Sequence, residues 1–271
     1  MKRVLITAAL ALAASGAAEA STLYGASYTG GPQSNLYSVD QSTGALTLIG
    51  ATGRNLGDLT SIDNSLVGVD LSSNTLHTLD TATGAASGGL AITGTQGVIT
   101  SIAWDPVSRA LYGNTTSGFG GADTLYRIDT GTGAATLIGA LGFTNVYALG
   151  FGQDGALFGV QDGGDLLSIS IATGAAASIG SPGFGLIFDI ATRPEDNVMF
   201  GATSSTYSLL TLNKTTGAGT VVGGYGASAN IAGLAFIGEG GVVPEPSTWA
   251  LMIGGFASAG AMLRRRRAFA A

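Results

Sequence analysis

The sequence predicts an all-β protein, a five-bladed β-propeller of four-stranded blades, and three observations lead to this fold class. A hairpin motif recurs along the chain, a second strand motif alternates with it, and the two ends of the repeated region complete one another. The composition agrees, because 45 glycines, no cysteines and only 10% charged residues favour short strands joined by tight turns over disorder.

The start of the chain has the pattern of a cleaved secretory signal. Two basic residues at 2–3 precede an apolar run over 4–14, and Ala18 and Ala20 supply the small residues of a signal peptidase site. This pattern predicts export through the inner membrane, with a mature chain that begins near Ser21.

The first repeated motif is a hairpin with a Thr-Gly turn. Its glycine can take the left-handed conformation that a tight turn with a bulge requires. An Asp, Ser or Asn opens each turn, where its side chain can accept hydrogen bonds from backbone N–H groups further along. The five copies span residues 35–50, 75–90, 124–139, 165–180 and 208–223.

The second motif, an apolar pair followed by glycine, precedes each hairpin and predicts a further strand. Its copies lie at residues 23–25, 66–68, 111–113, 157–159 and 199–201. Apolar stretches before the last four copies supply one more strand each, at 61–63, 101–105, 148–154 and 188–192. The unit is therefore four strands long and repeats every 40 to 49 residues, as four-stranded propeller blades do.

The first repeat lacks an innermost strand, whereas the apolar stretch at 231–238 has no partner of its own. If 231–238 joins the first repeat, the ring closes without an open edge, while a linear stack would need capping repeats. We therefore predict a ring closed by the C-terminal strand, with a β-solenoid or another blade count as the alternative. The fourth strand of the second repeat, GAASGGLAI, has two glycines and is expected to be irregular.

Charge and residue types restrict the function. Residues 21–243 carry five Lys and Arg against fifteen Asp and Glu, hence 5 − 15 = −10, which makes nucleic acid a poor partner. One histidine and no cysteine argue against a zinc site. Several carboxylates could hold calcium in an exported domain, but no calcium-loop motif is present, so we expect no metal site and no cofactor. A serine–histidine triad would depend on that same histidine, His77, and no nucleophile elbow motif is present.

Four carboxylates are candidates for chemistry. They follow successive innermost strands and would gather at one end of the ring, around a central funnel, where paired acids could cleave a glycosidic bond. Acidic residues in such positions are also ordinary turn residues that bond their own backbone. These candidates are Asp63, Asp105, Asp154 and Asp196.

Some aromatic residues fit the repeat less well than the others, and exposed ones could stack on sugar rings. They are Tyr28, Trp104, Phe119, Tyr147, Phe184 and Tyr225. We expect a binding or structural module rather than an enzyme, with a glycosidase-like enzyme that uses the funnel carboxylates as the alternative.

The last thirty residues differ in composition from the rest. An uncharged run over residues 248–263 would make about 24 Å of helix, a marginal membrane span against a hydrocarbon core of about 30 Å. A basic cluster follows the run and would stay in the cytoplasm under the positive-inside rule, with the propeller on the other side. It consists of Arg264, Arg265, Arg266 and Arg267.

Pro244, Glu245 and Pro246, the apolar run and the arginines, in this order, resemble the PEP-CTERM sorting domain of Gram-negative bacteria. The resemblance implies that an exosortase recognises the Pro-Glu-Pro element, in bacteria that make exopolysaccharide and biofilm. The fold prediction therefore includes a C-terminal transmembrane sorting helix after the propeller.

Three segments are expected: a signal peptide over 1–20, the propeller-like repeat domain over 21–241, and a sorting and anchor segment over 242–271. The expected partners are signal peptidase, the exosortase, the membrane before processing, and exopolysaccharide. The expected protein is exported, held transiently in the inner membrane, and then placed at the cell surface or in the extracellular matrix.

Overall fold

Five four-stranded antiparallel sheets, twenty strands in all, make up the residues that the computed structural model describes, 20–28, 30–120, 122–226 and 229–238. Each sheet is one blade of a propeller, with its strands hydrogen-bonded in sequence from the axis outwards. This arrangement confirms the predicted five-bladed β-propeller.

The blades follow chain order, except that the last strand belongs to the first blade. Blade 1 contains β20 (Ile231–Ile237), β1 (Thr22–Ser27), β2 (Asn35–Val39) and β3 (Leu46–Ala51). Blade 2 contains β4 (Leu56–Ile62), β5 (Ser65–Asp70), β6 (Thr75–Leu79) and β7 (Ala86–Ala91). Blade 3 contains β8 (Ile99–Asp105), β9 (Ala110–Thr115), a 3₁₀ turn (Ser117–Phe119), β10 (Thr124–Ile128) and β11 (Ala135–Ala140).

The last two blades have the same four-stranded plan. Blade 4 contains β12 (Val146–Phe151), β13 (Leu157–Gln161), β14 (Leu166–Ile169) and β15 (Ala176–Gly180). Blade 5 contains β16 (Ile187–Thr192), β17 (Met199–Thr203), β18 (Ser208–Leu212) and β19 (Gly219–Gly224).

Two predicted segments lie outside the described residues: the signal peptide up to residue 19, with Ala18, and the sorting segment, with 244–246 and 264–267. The expected transmembrane helix therefore has no structural description here. Among the described residues, no helix is long and apolar enough to cross a membrane. Residues Ser21–Gly240 form one compact unit.

The ring closes within blade 1. Strand β20 pairs antiparallel with β1, with Leu23 opposite Phe236, as the sequence predicted. The innermost strands then contact each other all the way round, in the order β20, β4, β8, β12, β16 and back to β20. The innermost strand of blade 2 begins at Leu56, earlier than the expected residue 61, because Gly57 and Asp58 interrupt the apolar pattern.

The apolar core is divided among the interfaces between blades. Five clusters of buried side chains exist, and each joins two neighbouring blades. The cluster between blades 5 and 1, for example, packs Phe200 against Phe236, with ring centroids 5.5 Å apart. Each blade is therefore stabilised by both of its neighbours, since a single sheet would leave its faces exposed to water.

The hairpin turns have the predicted chemistry. In the first, Asp40 Oδ1 accepts hydrogen bonds from the backbone N–H groups of Ser42 and Thr43 at 2.8 and 2.9 Å, and Gly44 has φ of +75°. The side-chain and backbone hydrogen bonds from Ser42 and Thr43 lower the pKa of Asp40 to about 2. Asp80, Asp129 and Asn213 accept equivalent bonds in their own turns.

The Thr-Gly turns also explain a second set of repeated glycines, those near the ends of the outer strands. A Cβ on Gly223 of blade 5 would overlap the carbonyl oxygen of Thr43 in blade 1, and a Cβ on Gly44 would overlap that of Gly223. We call this line of contacts around the ring the glycine band. Its other members join Gly50 to Thr83 and Gly84, Ala91 to Gly133, Gly139 to Thr173 and Gly174, and Gly180 to Thr216 and Gly217.

The outer strand of blade 2 is irregular, as its sequence indicated. Gly88 and Gly89 have φ of +72° and +154°, and the pairing of β6 with β7 shifts register between Leu76 and Thr78. Ala91 takes the place of the usual glycine in the glycine band. Beyond it, Thr93 forms a parallel bridge to Ala134 of blade 3, so a short backbone pairing reinforces this interface.

We expect Gly223→Ala to lower the free energy of unfolding by about 1–3 kcal/mol, the usual cost of forcing a carbon into a packed interior. The added Cβ has no room, because the backbone of Thr43 can withdraw only if blade 1 moves. Urea unfolding followed by circular dichroism measures the change.

Gly224→Ala is the matched control for this prediction, since the nearest atom to its Cβ would be Tyr207 O at 3.9 Å. It should change the free energy of unfolding by less than about 0.5 kcal/mol. Equal destabilisation by both substitutions would show that the glycine band does not hold the blades together.

Candidate functional site

A cavity on the ring axis has the form of a funnel. It opens at the end of the ring that carries the turns after the innermost strands, which we call the turn face. Those turns comprise residues 63–64, 106–109, 152–156 and 193–198. The funnel has a volume of about 410 Å³ and is lined by residues of all five innermost strands.

Five aliphatic side chains form the floor of the funnel, one from the same position of each innermost strand. They are buried, with 1 or 2% of their surface exposed, and each packs into the apolar cluster of a different interface between blades. These residues are Leu59, Ile102, Leu149, Ile190 and Leu234.

The wall of the funnel combines three aromatic residues, the half-buried Trp104 and the buried Phe151 and Phe236, with hydroxyl groups. Trp104 is half-buried at the end of β8, and its backbone N–H donates to Thr60 Oγ1 at 3.1 Å. Thr192, at the end of β16, has a buried hydroxyl with no hydrogen-bond partner among the described residues. An unpaired buried hydroxyl is costly, so a hydrogen bond from water or a ligand to this one would stabilise the wall.

The rim carries one ion pair. Arg109 Nη2 lies 2.7 Å from Asp63 Oδ2, and both side chains are largely exposed. The pair links the turns of blades 3 and 2 and leaves no net charge at this part of the mouth. Exposed pairs of this kind contribute about 0–1 kcal/mol, so the rim is positioned mainly by its turns.

Of the four carboxylates predicted for the funnel, only Asp63 is among its lining residues. Asp105 is buried and accepts from Val107 N at 2.9 Å and Ser108 Oγ at 2.5 Å, within its own turn. Asp154 accepts from the backbone of its own turn at 3.3 Å. Asp196 pairs with Arg193 at 2.6 Å, which lowers its pKa. The structure therefore brings none of the other three into the funnel.

The six irregular aromatic residues separate into three groups. Trp104 lines the funnel, whereas Tyr28, Phe119 and Tyr147 surround the opposite opening of the channel, together with Phe188. That opening is shallow, with a cavity of about 30 Å³. The remaining two pack into the core: Phe184 against the cluster between blades 4 and 5, and Tyr225 in the cluster between blades 5 and 1.

A pair of buried acids, which the sequence analysis did not single out, lies beneath the floor. Asp58 and Asp189 are fully buried and hydrogen-bond to each other. They occupy the same position in β4 and β16, on either side of β20, where the equivalent residue is Gly233. A Cβ on Gly233 would lie only 2.6 Å from Leu59 N, so the two carboxyls meet where no third side chain fits.

Both carboxyls are also bonded to neighbouring blades. Asp58 Oδ2 accepts from Ser101 Oγ at 2.6 Å and Ile102 N at 2.8 Å in blade 3. Asp189 Oδ2 accepts from Leu234 N at 2.5 Å in blade 1. Burial raises the pKa of both groups, and the charge of Asp58 raises that of Asp189 further. Both acids have 0% of their surface exposed and neither lines the funnel, so we assign the pair a structural role.

His77, the histidine on which a catalytic triad would depend, is 3% exposed. Its Nε2 lies 2.7 Å from Thr75 Oγ1. Within the described ranges, no three His, Cys, Asp or Glu side chains lie close enough together to hold a metal ion.

Fold and site define a five-bladed propeller with a neutral, partly aromatic funnel at its turn face. The fold resembles that of a chain in the crystal structure of a nidogen/laminin complex, with a TM-score of 0.55, 9% identity, and coverage of 81% of this chain and 98% of that one. It also resembles a chain from work on the de novo evolutionary emergence of a symmetrical protein. There the TM-score is 0.54 and the identity 20%, over 79% of this chain and 97% of that one.

At these identities the likeness concerns the fold alone, and no curated protein matches the chain. The C-terminal segment indicates how the protein is exported. Residues 242–267 match the PEP-CTERM protein-sorting motif, which confirms the resemblance seen in the sequence. This motif implies an exported protein that is anchored transiently in the membrane and processed by an exosortase.

We expect the buried acids to make the domain less stable as the pH rises. In the folded state the pair keeps a proton that the unfolded chain releases near the ordinary pKa of 3.8. The free energy of unfolding should therefore fall above that pH, by up to about 1.4 kcal/mol per pH unit, until the folded pair also loses the proton. Urea unfolding at a series of values between about pH 4 and pH 8 measures the slope.

Asp189→Asn should make this slope shallower, because the amide keeps the shape and can donate to Asp58 without titrating. Ser101→Ala is the control, since it removes a hydrogen bond of Asp58 but leaves both acids in place. It should lower stability by about 1 kcal/mol, and because the Ser101 hydrogen bond lowers the pKa of Asp58, its loss should extend the decline to higher pH and not make it shallower. An Asp189→Asn slope equal to the native one would refute the shared proton.

Proposed function

We propose that the exported domain is a carbohydrate-binding module whose funnel holds a short segment of a neutral polysaccharide, such as the exopolysaccharide of its own cell. The observation that carries the proposal is the funnel wall, where Trp104 and Thr192 line the same cavity and the buried hydroxyl of Thr192 has no partner among the described residues. An aromatic face packs against the apolar face of a sugar ring, and buried hydroxyls pair with its equatorial hydroxyls.

The size of the funnel supports a small or linear ligand. About 410 Å³ lies within the range of about 300–1,000 Å³ that small-ligand sites occupy. The lining residues run from the exposed rim to buried residues such as Leu59 and Leu234, so the funnel would receive an end or an exposed branch of the polymer. The opposite opening, at about 30 Å³, is too small for such a ligand.

Electrostatics favour an uncharged ligand. The domain carries a net charge of −10 over 21–243, which repels polyanions. A cationic ligand would need a free carboxylate, yet the funnel's Asp63 is already paired with Arg109. Neutral sugars are not repelled by the negative charge of the domain and need no free carboxylate. They would hydrogen-bond to the Thr, Ser, Asn and Gln side chains of the wall.

The structure does not favour hydrolysis in the funnel. Glycosidases of the common type need two carboxyls about 5–10 Å apart on either side of the scissile bond. Asp63 is the one acid among the residues described as lining the funnel. Binding is therefore the function that this geometry supports best.

The proposal extends to the route of the protein. Signal peptidase would remove residues 1–20, with Ala18 and Ala20 as the small residues of its site. The exosortase would recognise Pro244, Glu245 and Pro246, while the apolar run holds the tail in the inner membrane and 264–267 fix its orientation. Processing would then deliver the 21–241 domain to the cell surface or the matrix, in contact with the polysaccharide.

We expect Trp104→Ala to weaken binding of oligosaccharides from the host's exopolysaccharide about tenfold or more, since it removes the stacking surface. Isothermal titration calorimetry on the processed protein gives the dissociation constants. Phe119→Ala, an exposed aromatic at the opposite opening, is the control and should leave the affinity unchanged. If Phe119→Ala weakened binding and Trp104→Ala did not, the binding site would lie at the opposite end of the ring.

We expect Glu245→Ala to block processing of the tail, because it removes the acidic residue of the sorting motif while the apolar run stays intact. The unprocessed protein should accumulate in the membrane fraction at its larger mass, as in a strain without the exosortase. Glu239→Ala, an acid outside the matched residues 242–267, should be processed normally. Normal processing of Glu245→Ala would show that the exosortase does not recognise this residue.

A further inference from the structure

Ser21 has an unusually complete set of hydrogen bonds for a residue at the edge of the domain. Its backbone N–H donates to Glu195 Oε1, and its hydroxyl donates to Glu195 Oε2 at 2.9 Å. Its carbonyl oxygen accepts from Gln41 Nε2 at 2.5 Å. Ser21 is 2% exposed although Ala20, directly before it, is exposed. The side chains around Ser21 therefore bind that residue, and the residue directly before it lies in solvent.

The residues that hold Ser21 come from two different blades. Glu195 belongs to the turn between β16 and β17 of blade 5, whereas Gln41 belongs to the hairpin turn between β2 and β3 of blade 1. Arg193, in the same turn as Glu195, connects the two turns, since its Nη1 donates to Gln41 Oε1 at 2.9 Å and its Nη2 donates to Asp196 Oδ2 at 2.6 Å. Ser21 is thus fixed at the interface where the ring closes.

We propose that this pocket is the binding site for the new N-terminus, and that Glu195 forms an ion pair with the α-ammonium group of Ser21 after signal peptidase cleaves the Ala20–Ser21 bond. In the uncut chain the donor to Glu195 is a peptide N–H. Hydrolysis adds water across the bond, leaves a carboxylate on Ala20 and gives Ser21 an amine that takes up a proton. The atom that lay against Glu195 then carries a positive charge and three donors.

The charges around Ser21 fit this assignment. Burial opposes the ionisation of Glu195, but hydrogen bonds from Ser21 and the charge of Arg193 outweigh it and lower its pKa. Arg193 is itself paired with Asp196, so Glu195 remains available to the new cation. Asp40, beside Gln41, is bonded within its own turn. An ammonium at Ser21 therefore meets a carboxylate that is already ionised and already in place.

The assignment gives the cleavage site a structural reason. The signal peptide pattern places the cleavage site near Ser21. The pocket fits Ser21 as the first residue of the mature chain, because a mature chain one residue longer would keep a neutral amide against Glu195. A chain one residue shorter would lose both the hydroxyl and the ammonium. The inference concerns export and maturation, and it holds whatever ligand the funnel takes.

The first test is the N-terminal sequence of the full chain after expression and export in a Gram-negative host. We expect Edman degradation to give Ser-Thr-Leu-Tyr, the sequence from Ser21. A mature chain that begins at any other residue would overturn the proposal, and loss of glycan binding would not affect this result.

The second test measures the α-amine itself on the same processed protein. Amine-reactive labelling at graded pH, read by mass spectrometry of the N-terminal peptide, gives its pKa, which is about 7.7–8.0 for an unperturbed terminus. We expect labelling at neutral pH to be about tenfold slower than in Glu195→Gln, equivalent to a pKa about one unit higher. Asp40→Asn is the matched control, since Asp40 lies beside Gln41 but is bonded within its own turn, and it should label as slowly as the native protein.

Equal labelling rates in the native protein and Glu195→Gln would overturn the ion pair. If Glu195→Gln does not fold, the native protein is compared with itself in urea. Labelling that is no slower in the folded state than in the unfolded state would overturn the proposal equally.

Discussion

The pairing of β20 with β1 is the interaction on which the rest of the structure depends. It joins the last described strand to the first, and it gives blade 1 an innermost strand that the beginning of the chain does not supply. Every apolar cluster lies between two blades, so each blade needs a neighbour on both sides. Without this pairing, blades 1 and 5 would lose their common cluster, and the two exposed flanks would be open to water and to other chains. The funnel floor would also lose Leu234, one of its five side chains.

Much of this fold could be predicted from the sequence, because the repeated residues perform local tasks. The glycine of each Thr-Gly turn needs a positive φ, and the Asp or Asn before it caps the turn, so the hairpins are recognisable one at a time. The number of blades followed from counting them. The irregular strand of blade 2 was visible for the same reason, since Gly88 and Gly89 replace residues that favour strands.

The site was harder to predict, because it depends on which residues meet across the ring. Asp105 and Asp154 follow innermost strands as Asp63 does, but local hydrogen bonds turn them into their own loops. Asp58 and Asp189 are each a single acid inside an apolar strand, and a repeat alignment would mark them as exceptions to positions occupied by Ser, Ala and Gly. Only the three-dimensional ring shows that they are partners, since β20 separates them and contributes no side chain there.

The antiparallel register of the closing strands has a mechanical consequence. Thr22 lies opposite Ile237, so the two ends of the domain leave the ring at the same point. A force applied to the chain after Gly238 would load the Thr22–Ile237 pair first and open the ladder one pair at a time, a weaker geometry than one in which all the bonds share the load. The innermost location of β20 offsets this weakness, because the strand also contacts β4 and β16 and has to leave the centre of the ring to separate. Closing the propeller with an inner strand thus protects the joint that a pull on the tail would strain most.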